Sequence, residues 1–275
     1  MRCLITGSSG FIGGHLFEEL NKRGALVAGA DIKNKIDIRS YNFHEKYDVI
    51  FHTAAQASIP ASFKNPLESH THNVVGTLRI LEYARATGAM VVFSSSSSVY
   101  GDAPMPTSES QPPDPMSPYA FQKLIGEGYC DFYWTLGVKS VALRYFNVFG
   151  ERQPNTSEYS TALGEWLDEY KNGKSFKTYG DGEQRRDWIY VKDVVDANIR
   201  AAEFLQTATE FQAINIGSGK NYSVNEVIAM IDNNYPREYM PSRIEPIANC
   251  ADITKARELL NWNPQSDLKD WLKTI

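Results

Sequence analysis

The chain has 275 residues, enough for one large domain or two small ones. With 42% hydrophobic and 22% charged residues it can bury a core, which excludes wholesale disorder. A net charge of -5 without a Lys/Arg run excludes a nucleic-acid backbone as the main partner, and no apolar run approaches the ~18 residues of a membrane span. The sequence opens directly on a strand-like run with no signal-peptide layout. Its three cysteines, Cys3, Cys130 and Cys250, are far apart and odd in number. They read as reduced thiols of a cytoplasmic protein, with no disulfide framework and no metal spacing.

The first run, RCLIT over 2–6, is a short buried-type strand. GSSGFIGGHLFEELNKRG follows, with Gly7, Gly10 and Gly13 three apart and Phe11, Ile12, Leu16 and Leu20 at helical spacing. This is strand, glycine turn, helix: residues without Cβ let the backbone approach a ligand, and free N–H groups at the helix start face a phosphate. The next strand, LVAGAD, ends in Asp31, where an acid accepts the hydroxyls of an adenosine ribose and repels a 2′-phosphate. The pattern predicts a dinucleotide site that takes NAD rather than NADP.

KIDIRS, with Asp37 and Ile38, comes only five residues later, so a strand there requires an abbreviated crossover. YDVIFHT is a buried strand running into Ala54 and Ala55, small residues that let a cofactor lie close. NVVGTLRILEYAR, starting at Asn73, is helical. Strands at Val91–Phe93 and at 140–143 continue the alternation of a Rossmann-type, doubly wound parallel α/β sheet. His70 and His72 do not share a helix face, which disfavours a metal site, and His52 reads as packing. After Arg144 the elements shorten: a helix over 161–172, a turn at YGDG, a strand over 188–191, Asp193 as a helix cap, a strand at 213–216, a capping box at Ser223/Glu226 and two short C-terminal helices. This region reads as a smaller cap over a site built by the sheet.

The chemistry centres on VVFSSSSSVYG and SPYAFQK. Ser94–Ser96 form the C-terminal end of a central strand, where such sheets bind ligands. Ser117 and Pro118 open a helix that puts Tyr119 and Lys123 one turn apart on one face. A neighbouring ammonium and the positive helix end favour the phenolate, which would bring a base toward operating pH.

With these residues in hand the chain resembles the extended short-chain dehydrogenases/reductases, in their NAD-dependent nucleotide-sugar epimerase/dehydratase branch. The matching pieces run from TGSSGFIG (6–13) through SSSSSVYG (94–101), YAFQK (119–123), RYFNVFG (144–150) and YGDGEQRRDW (179–188) to ADITKARELLNW (251–262). The resemblance implies that Tyr119 is the base, that Lys123 holds the nicotinamide ribose and that Ser96 completes the catalytic set. It implies further cofactor contacts from Gly7, Gly10, Phe11, Ile12, Gly13, Asp31, Asp37, Ile38, Ala54, Ala55, Asn73 and Tyr145. Substrate contacts are implied for Asn147, Arg186 and Asn249, with Arg243 as the second phosphate-binding arginine, although the spacing there is one residue short.

Family dehydratases carry Asp-Glu after the catalytic hydroxyl, and the decarboxylases keep a Glu. Here Ser97 and Ser98 stand in those places. The expectation is therefore 4-epimerisation of a UDP-sugar through a transient 4-keto form. Dehydration, decarboxylation, plain reduction and non-catalytic NAD binding are the alternatives. Asn249, small where related enzymes use an aromatic gate, leaves room for N-acetylhexosamines. The expected division is a cofactor part over 1–147 plus about 188–217, and a nucleotide-sugar part over about 148–187 and 218–275. By the same resemblance, a homodimer pairs the helices around 73–87 and 118–134.

Overall fold

The computed structural model describes residues 1–155, 161–242 and 245–275. Strand β1 (Arg2–Thr6) leads through helix α1 (Phe11–Lys22) to β2 (Leu26–Ala30), and β3 (Val49–His52) follows. Short helices α2 (Ile59–Lys64) and α3 (Pro66–His70) precede α4 (Gly76–Thr87) and β4 (Met90–Ser96). Helix α5 (Pro118–Trp134) then leads to β5 (Ser140–Tyr145).

These strands and a later one, β9, form a six-stranded parallel sheet in the order β2-β1-β3-β4-β5-β9. Alternate residues of each strand feed two cores, as the two-residue period of a strand requires. Cys3, Ile5, Phe51, Val92 and Val141 pack on one side with Leu16 and Leu20 of α1. Leu4, Ile50, Val91, Phe93 and Ala142 pack on the other with Ile80 and Leu81 of α4 and Cys130 and Tyr133 of α5. The predicted doubly wound α/β architecture is present.

The connection after β2 differs from the expectation. KIDIRS is not a strand: Ile32–Asn34 make one 3-10 turn, Lys35 turns left-handed at φ 61°, and the chain then runs without helix or strand to β3. A parallel crossover takes a dozen or more residues, and two would be needed to add a strand here. The sheet therefore stops at β2. Ile38 still contributes, buried against Gly76 in the second core. His52 is fully buried, with Nδ1 at 2.7 Å from Thr6 Oγ1 and Nε2 at 2.9 Å from Thr77 Oγ1, so it ties β1, β3 and α4 together.

Beyond β5 the chain crosses to smaller sheets. In order it forms β6 (Asn147–Phe149), α6 (Ala162–Lys171), β7 (Phe176–Tyr179), β8 (Arg185–Tyr190) and α7 (Val191–Thr207). After β9 (Gln212–Ile216) come β10 (Asn221–Ser223), α8 (Val224–Asp232), β11 (Arg237–Met240), α9 (Thr254–Leu260) and α10 (Leu268–Leu272). Strands β10, β8 and β6 form one sheet and β11 pairs with β7, over a separate core that includes Phe149, Trp166, Trp188 and Val227. The chain returns to the large sheet with α7, whose Val194, Val195 and Leu205 join the α1-side core.

Asp193 is not the predicted cap. Tyr190 precedes α7, and the Asp193 carboxylate instead accepts from Ser266 N at 3.0 Å, while Trp262 donates its indole N–H to the Asp193 carbonyl. That pair fastens the C-terminal tail to α7. The Ser223/Glu226 capping box is formed. Among the described residues no helix is long and apolar enough to cross a membrane, and no group of three or more His, Cys, Asp or Glu could hold a metal ion.

Candidate active site

The glycine turn sits between β1 and α1. Gly7 has φ +72°, and a Cβ there would lie 2.8 Å from Ala54 N. A Cβ on Gly13 would lie 2.2 Å from the Gly7 carbonyl oxygen, so only glycine lets the helix sit this close to the turn. Gly10 precedes Phe11 and Ile12 and offers no side-chain cap, so it leaves the first-turn N–H groups of α1 uncapped, as an anion site needs. Asp31, at the end of β2, turns its carboxylate back to this loop and accepts from Ser9 N at 3.0 Å and Lys33 N at 2.9 Å.

The other predicted cofactor contacts divide. Ala54 and Ala55 lie in the loop after β3, beside the turn. Asn73 sits in a single wide π-turn, Thr71–Val75, between α3 and α4. Its amide brackets Gln56, accepting from the backbone N at 2.8 Å and donating to the carbonyl at 3.1 Å, and donates to Gln122 Oε1 at 2.8 Å. It therefore holds the Ala54–Ala55 loop against α5. Asp37 is committed to Arg39, whose guanidinium reaches it at 2.6 Å and holds its carboxyl below the usual range. Ile38 is in the core.

Strand β4 ends in the serines, and Ser96 caps a 3-10 turn over Ser97–Tyr100. Helix α5 begins as predicted: Ser117 Oγ accepts from Ala120 N at 3.1 Å, and Pro118 occupies the first turn. This brings Tyr119 to Ser96 and Lys123 to Ser94. The Lys123 ammonium donates to the Ser94 carbonyl at 2.7 Å and lies 5.9 Å from the Tyr119 ring centre.

The electrostatic balance differs from the phenolate expectation. Burial pushes the Tyr119 phenol up to about 12, with the Ser96 hydrogen bond pulling the other way, and burial brings the Lys123 ammonium down to about 8. Desolvation is the largest cause for both groups. The Tyr145 hydroxyl donates to Asn198 Oδ1 at 2.9 Å and lies 3.1 Å from Ser94 Oγ, on the strand end that also holds Lys123.

Two adjoining cavities open beside the serines. One of about 200 Å³ is lined by Ser96, Ser97, Ser98, Thr107, Tyr145, Asn147, Arg186 and Asn249; the other, of about 230 Å³, by Trp166, Tyr179, Gln184 and Trp188. Asn147, Arg186 and Glu245 line both. Arg186 thus stands at the junction, paired with Glu245 at 2.8 Å. Asn249 does more than line a wall: its Oδ1 accepts from Asp187 N at 2.8 Å and Asn147 Nδ2 at 3.3 Å, clasping β8 to β6. Arg243 lies outside the described residues.

A glycine turn with an acid at the next strand end, a Ser-Tyr-Lys cluster and a bilobed cavity make a nucleotide-cofactor enzyme site. Comparison with known families agrees: the NAD dependent epimerase/dehydratase family matches residues 3–217. The chain belongs to that family.

Among the similar members is a putative UDP-glucose 4-epimerase from Methanocaldococcus jannaschii, 35% identical, with 99% of this chain and 96% of that protein covered. A solved UDP-N-acetylglucosamine 4-epimerase from Methanobrevibacter ruminantium, in complex with UDP-N-acetylmuramic acid, superposes with TM-score 0.90 at 33% identity, covering 99% of this chain and 97% of that one. A UDP-glucuronic acid 4-epimerase from Bacillus cereus, in complex with UDP-glucuronic acid and NAD, gives TM-score 0.90 at 30% identity, covering 99% and 97%. The first alignment runs over 306 positions against 275 residues here, so it opens gaps in this epimerase/dehydratase-family chain.

Some site residues of this family member were not singled out from sequence. Glu127, one turn after Lys123, accepts from Ser95 Oγ at 2.5 Å and pairs with Arg144 at 2.6 and 2.9 Å, all of it buried. Arg144 also stacks over Tyr100 at 4.7 Å. The i+4 spacing of Lys123 and Glu127 was the available signal. Glu245 and Trp166 carried none, because they reach the cavities only through long-range folding.

Proposed function

We propose that this chain is an NAD-dependent 4-epimerase of a UDP-sugar, a UDP-hexose or UDP-N-acetylhexosamine. The observation that carries the reading is Ser96 in the wall of a hydroxyl-lined cavity whose residues 97 and 98 are serines, with Tyr119 and Lys123 buried behind that strand end. Elimination of water needs an acid/base pair beside the sugar. The carboxylate that does line this cavity, Glu245, is engaged by Arg186.

The glycine turn, the uncapped start of α1 and Asp31 fit a dinucleotide, and they would hold its pyrophosphate and adenosine ribose. Bound NAD supplies a hydride acceptor and donor at sugar C4, together with a positive ring beside Tyr119. Tyr119 takes the proton of the 4-hydroxyl and returns it to the product. Ser96 donates a hydrogen bond to that oxygen while it has carbonyl character. Lys123, anchored on the Ser94 carbonyl, directs its remaining N–H groups and charge toward the cofactor ribose and the phenol. Arg186, at the junction of the cavities, receives the diphosphate, with Asn147 beside it and Arg243 as the second arginine of the expected pair.

On this reading the cofactor part spans 1–147 plus about 188–217, and the nucleotide-sugar part the remainder. The protein is a cytoplasmic homodimer: its three cysteines are free, and apolar side chains stand exposed along α2, α3, the π-turn before α4, and α5. Phe121 and Phe132, both more than half exposed, lie about three turns apart on one face of α5, with Leu67 and Val75 on the neighbouring helices. The test of function is incubation with a panel of UDP-sugars without added reductant. Interconversion of C4 epimers is expected; a 4-keto-6-deoxy product or only stoichiometric NADH would overturn the assignment.

A further inference from the structure

The serine run contains a residue with a role beyond those assigned above. The Ser96 oxygen receives two hydrogen bonds from one neighbour: Ser98 Oγ donates to it at 2.9 Å and Ser98 N at 3.2 Å. A serine hydroxyl has two lone pairs and one proton. With both lone pairs engaged, Ser96 retains only its own O–H, and that proton can only be given outward. We infer that Ser98 is a positioning residue for the reaction: by filling both acceptor sites of Ser96 it fixes Ser96 as a donor, whose one proton serves the Tyr119 phenol oxygen before transfer and passes to the sugar oxygen as that oxygen gains carbonyl character.

The inference rests on the Ser-Tyr pairing of the proposed function. The local fold favours it. Ser96 is extended, at φ -149°, where β4 gives way to the 3-10 turn, and this turn brings the N–H and the hydroxyl of residue 98 back onto residue 96. Ser97 cannot do the same, because the turn gives the bond to position 98. The outcome is a one-way relay, Ser98 to Ser96 to Tyr119. Donors in series polarise one another. A hydroxyl that already accepts two bonds is a stronger donor toward a phenol oxygen, and donation there favours the phenolate. The Ser96 hydrogen bond acts on the Tyr119 phenol in that downward direction. The charged and titratable groups around this relay are Lys123 on the same helix, with Cys130 and Glu127 of α5 and the buried, neutral His52 of β3 behind that ammonium, Tyr145 of β5 on Ser94, and the Arg186–Glu245 pair lining the same cavity. The hydrogen bonds of Ser98 go to Ser96 and to none of these, so its effect is separable from theirs.

The experiment compares wild type, Ser98→Ala and Ser98→Thr, each loaded with NAD. Tyr119 ionisation is read by ultraviolet difference titration against Tyr119→Phe, which requires no sugar. Ser98→Ala frees one lone pair of Ser96 and is expected to move the titration upward by about half a unit or more. Ser98→Thr keeps the hydroxyl and is expected to restore it. With an accepted UDP-sugar, Ser98→Ala is expected to lower kcat about tenfold with little change in KM, and to move the acidic limb of the kcat profile by the same amount as the titration. A titration in Ser98→Ala unchanged from wild type overturns the inference, and so does a loss of kcat that leaves the limb in place, the mark of a merely structural role. If wild type converts no UDP-sugar, the epimerase reading fails while the titration still decides the role of Ser98.

Discussion

Tyr119 is where burial and hydrogen bonding pull in opposite directions. Its phenol sits in the core wall, pushed up to about 12 by desolvation, and Ser96 pulls it back. Proton transfer depends on this one oxygen, so Tyr119→Phe is expected to keep NAD binding and lose at least ~100-fold in kcat, measured by product formation alongside NAD binding by calorimetry. Asn249 illustrates how a residue read from family spacing acquires a second duty. Sequence comparison suggests a gate for N-acetylated sugars; the structure adds a clasp on Asp187 N. The two duties separate by substitution. Asn249→Ala breaks the clasp and should slow UDP-glucose and UDP-GlcNAc alike. Asn249→Tyr should add a further loss confined to UDP-GlcNAc, and equal losses in both variants would remove the gate.

The elements that carry these residues are held by buried polar joints. His52 connects β1, β3 and α4, and burial brings its imidazole down to about 3 from an ordinary 6.5. Between those values the unfolded chain binds a proton that the folded chain refuses, so stability rises with pH across that window and is lost as pH falls from 6.5. The slope is about 1.4 kcal/mol per unit for one such group. His52→Gln should therefore show a flatter fall in Tm between pH 7 and 4 than wild type. A second joint, Glu127–Arg144, is a fully desolvated pair, and Glu127→Leu alone leaves Arg144 uncompensated. A loss of about 3–5 kcal/mol is expected in chemical denaturation, with most of it recovered when Arg144→Met is added.

Sequence periodicity showed α1, α5, β4 and the Ser223 cap because each is written in local chemistry: glycine spacing, Ser-Pro capping, a β-branched run into serines. It misplaced KIDIRS and the Asp193 cap because both depend on what lies across the fold. Ile38 is drawn into the core against Gly76, and Asp193 is used by a tail 73 residues away in the chain. The Arg186–Glu245 pair and the Asn249 clasp were hidden for the same reason.

At the scale of the molecule, the exposed apolar face of α5 and the preceding helices makes a prediction about assembly. Phe121→Asp should convert a dimer to a monomer in sedimentation while leaving the far-ultraviolet spectrum intact. The connection between β2 and β3, which adds no strand, has a different consequence. Chain-closure entropy changes slowly with length, about 0.6 kcal/mol per halving, so the length of this loop matters little. What it changes is the end of the sheet. Strand β2 is laddered to β1 alone, with Leu26 two-thirds exposed, whereas β4 is laddered on both sides. Local opening should therefore begin there: amide hydrogens of Leu26–Ala30 are expected to exchange faster than those of Met90–Ser96, by mass spectrometry. NAD held at Asp31, as proposed above, would meet the C-terminal end of β2, so its addition should slow exchange there more than in β4. The cofactor would then serve this chain as a brace at the end of its edge strand.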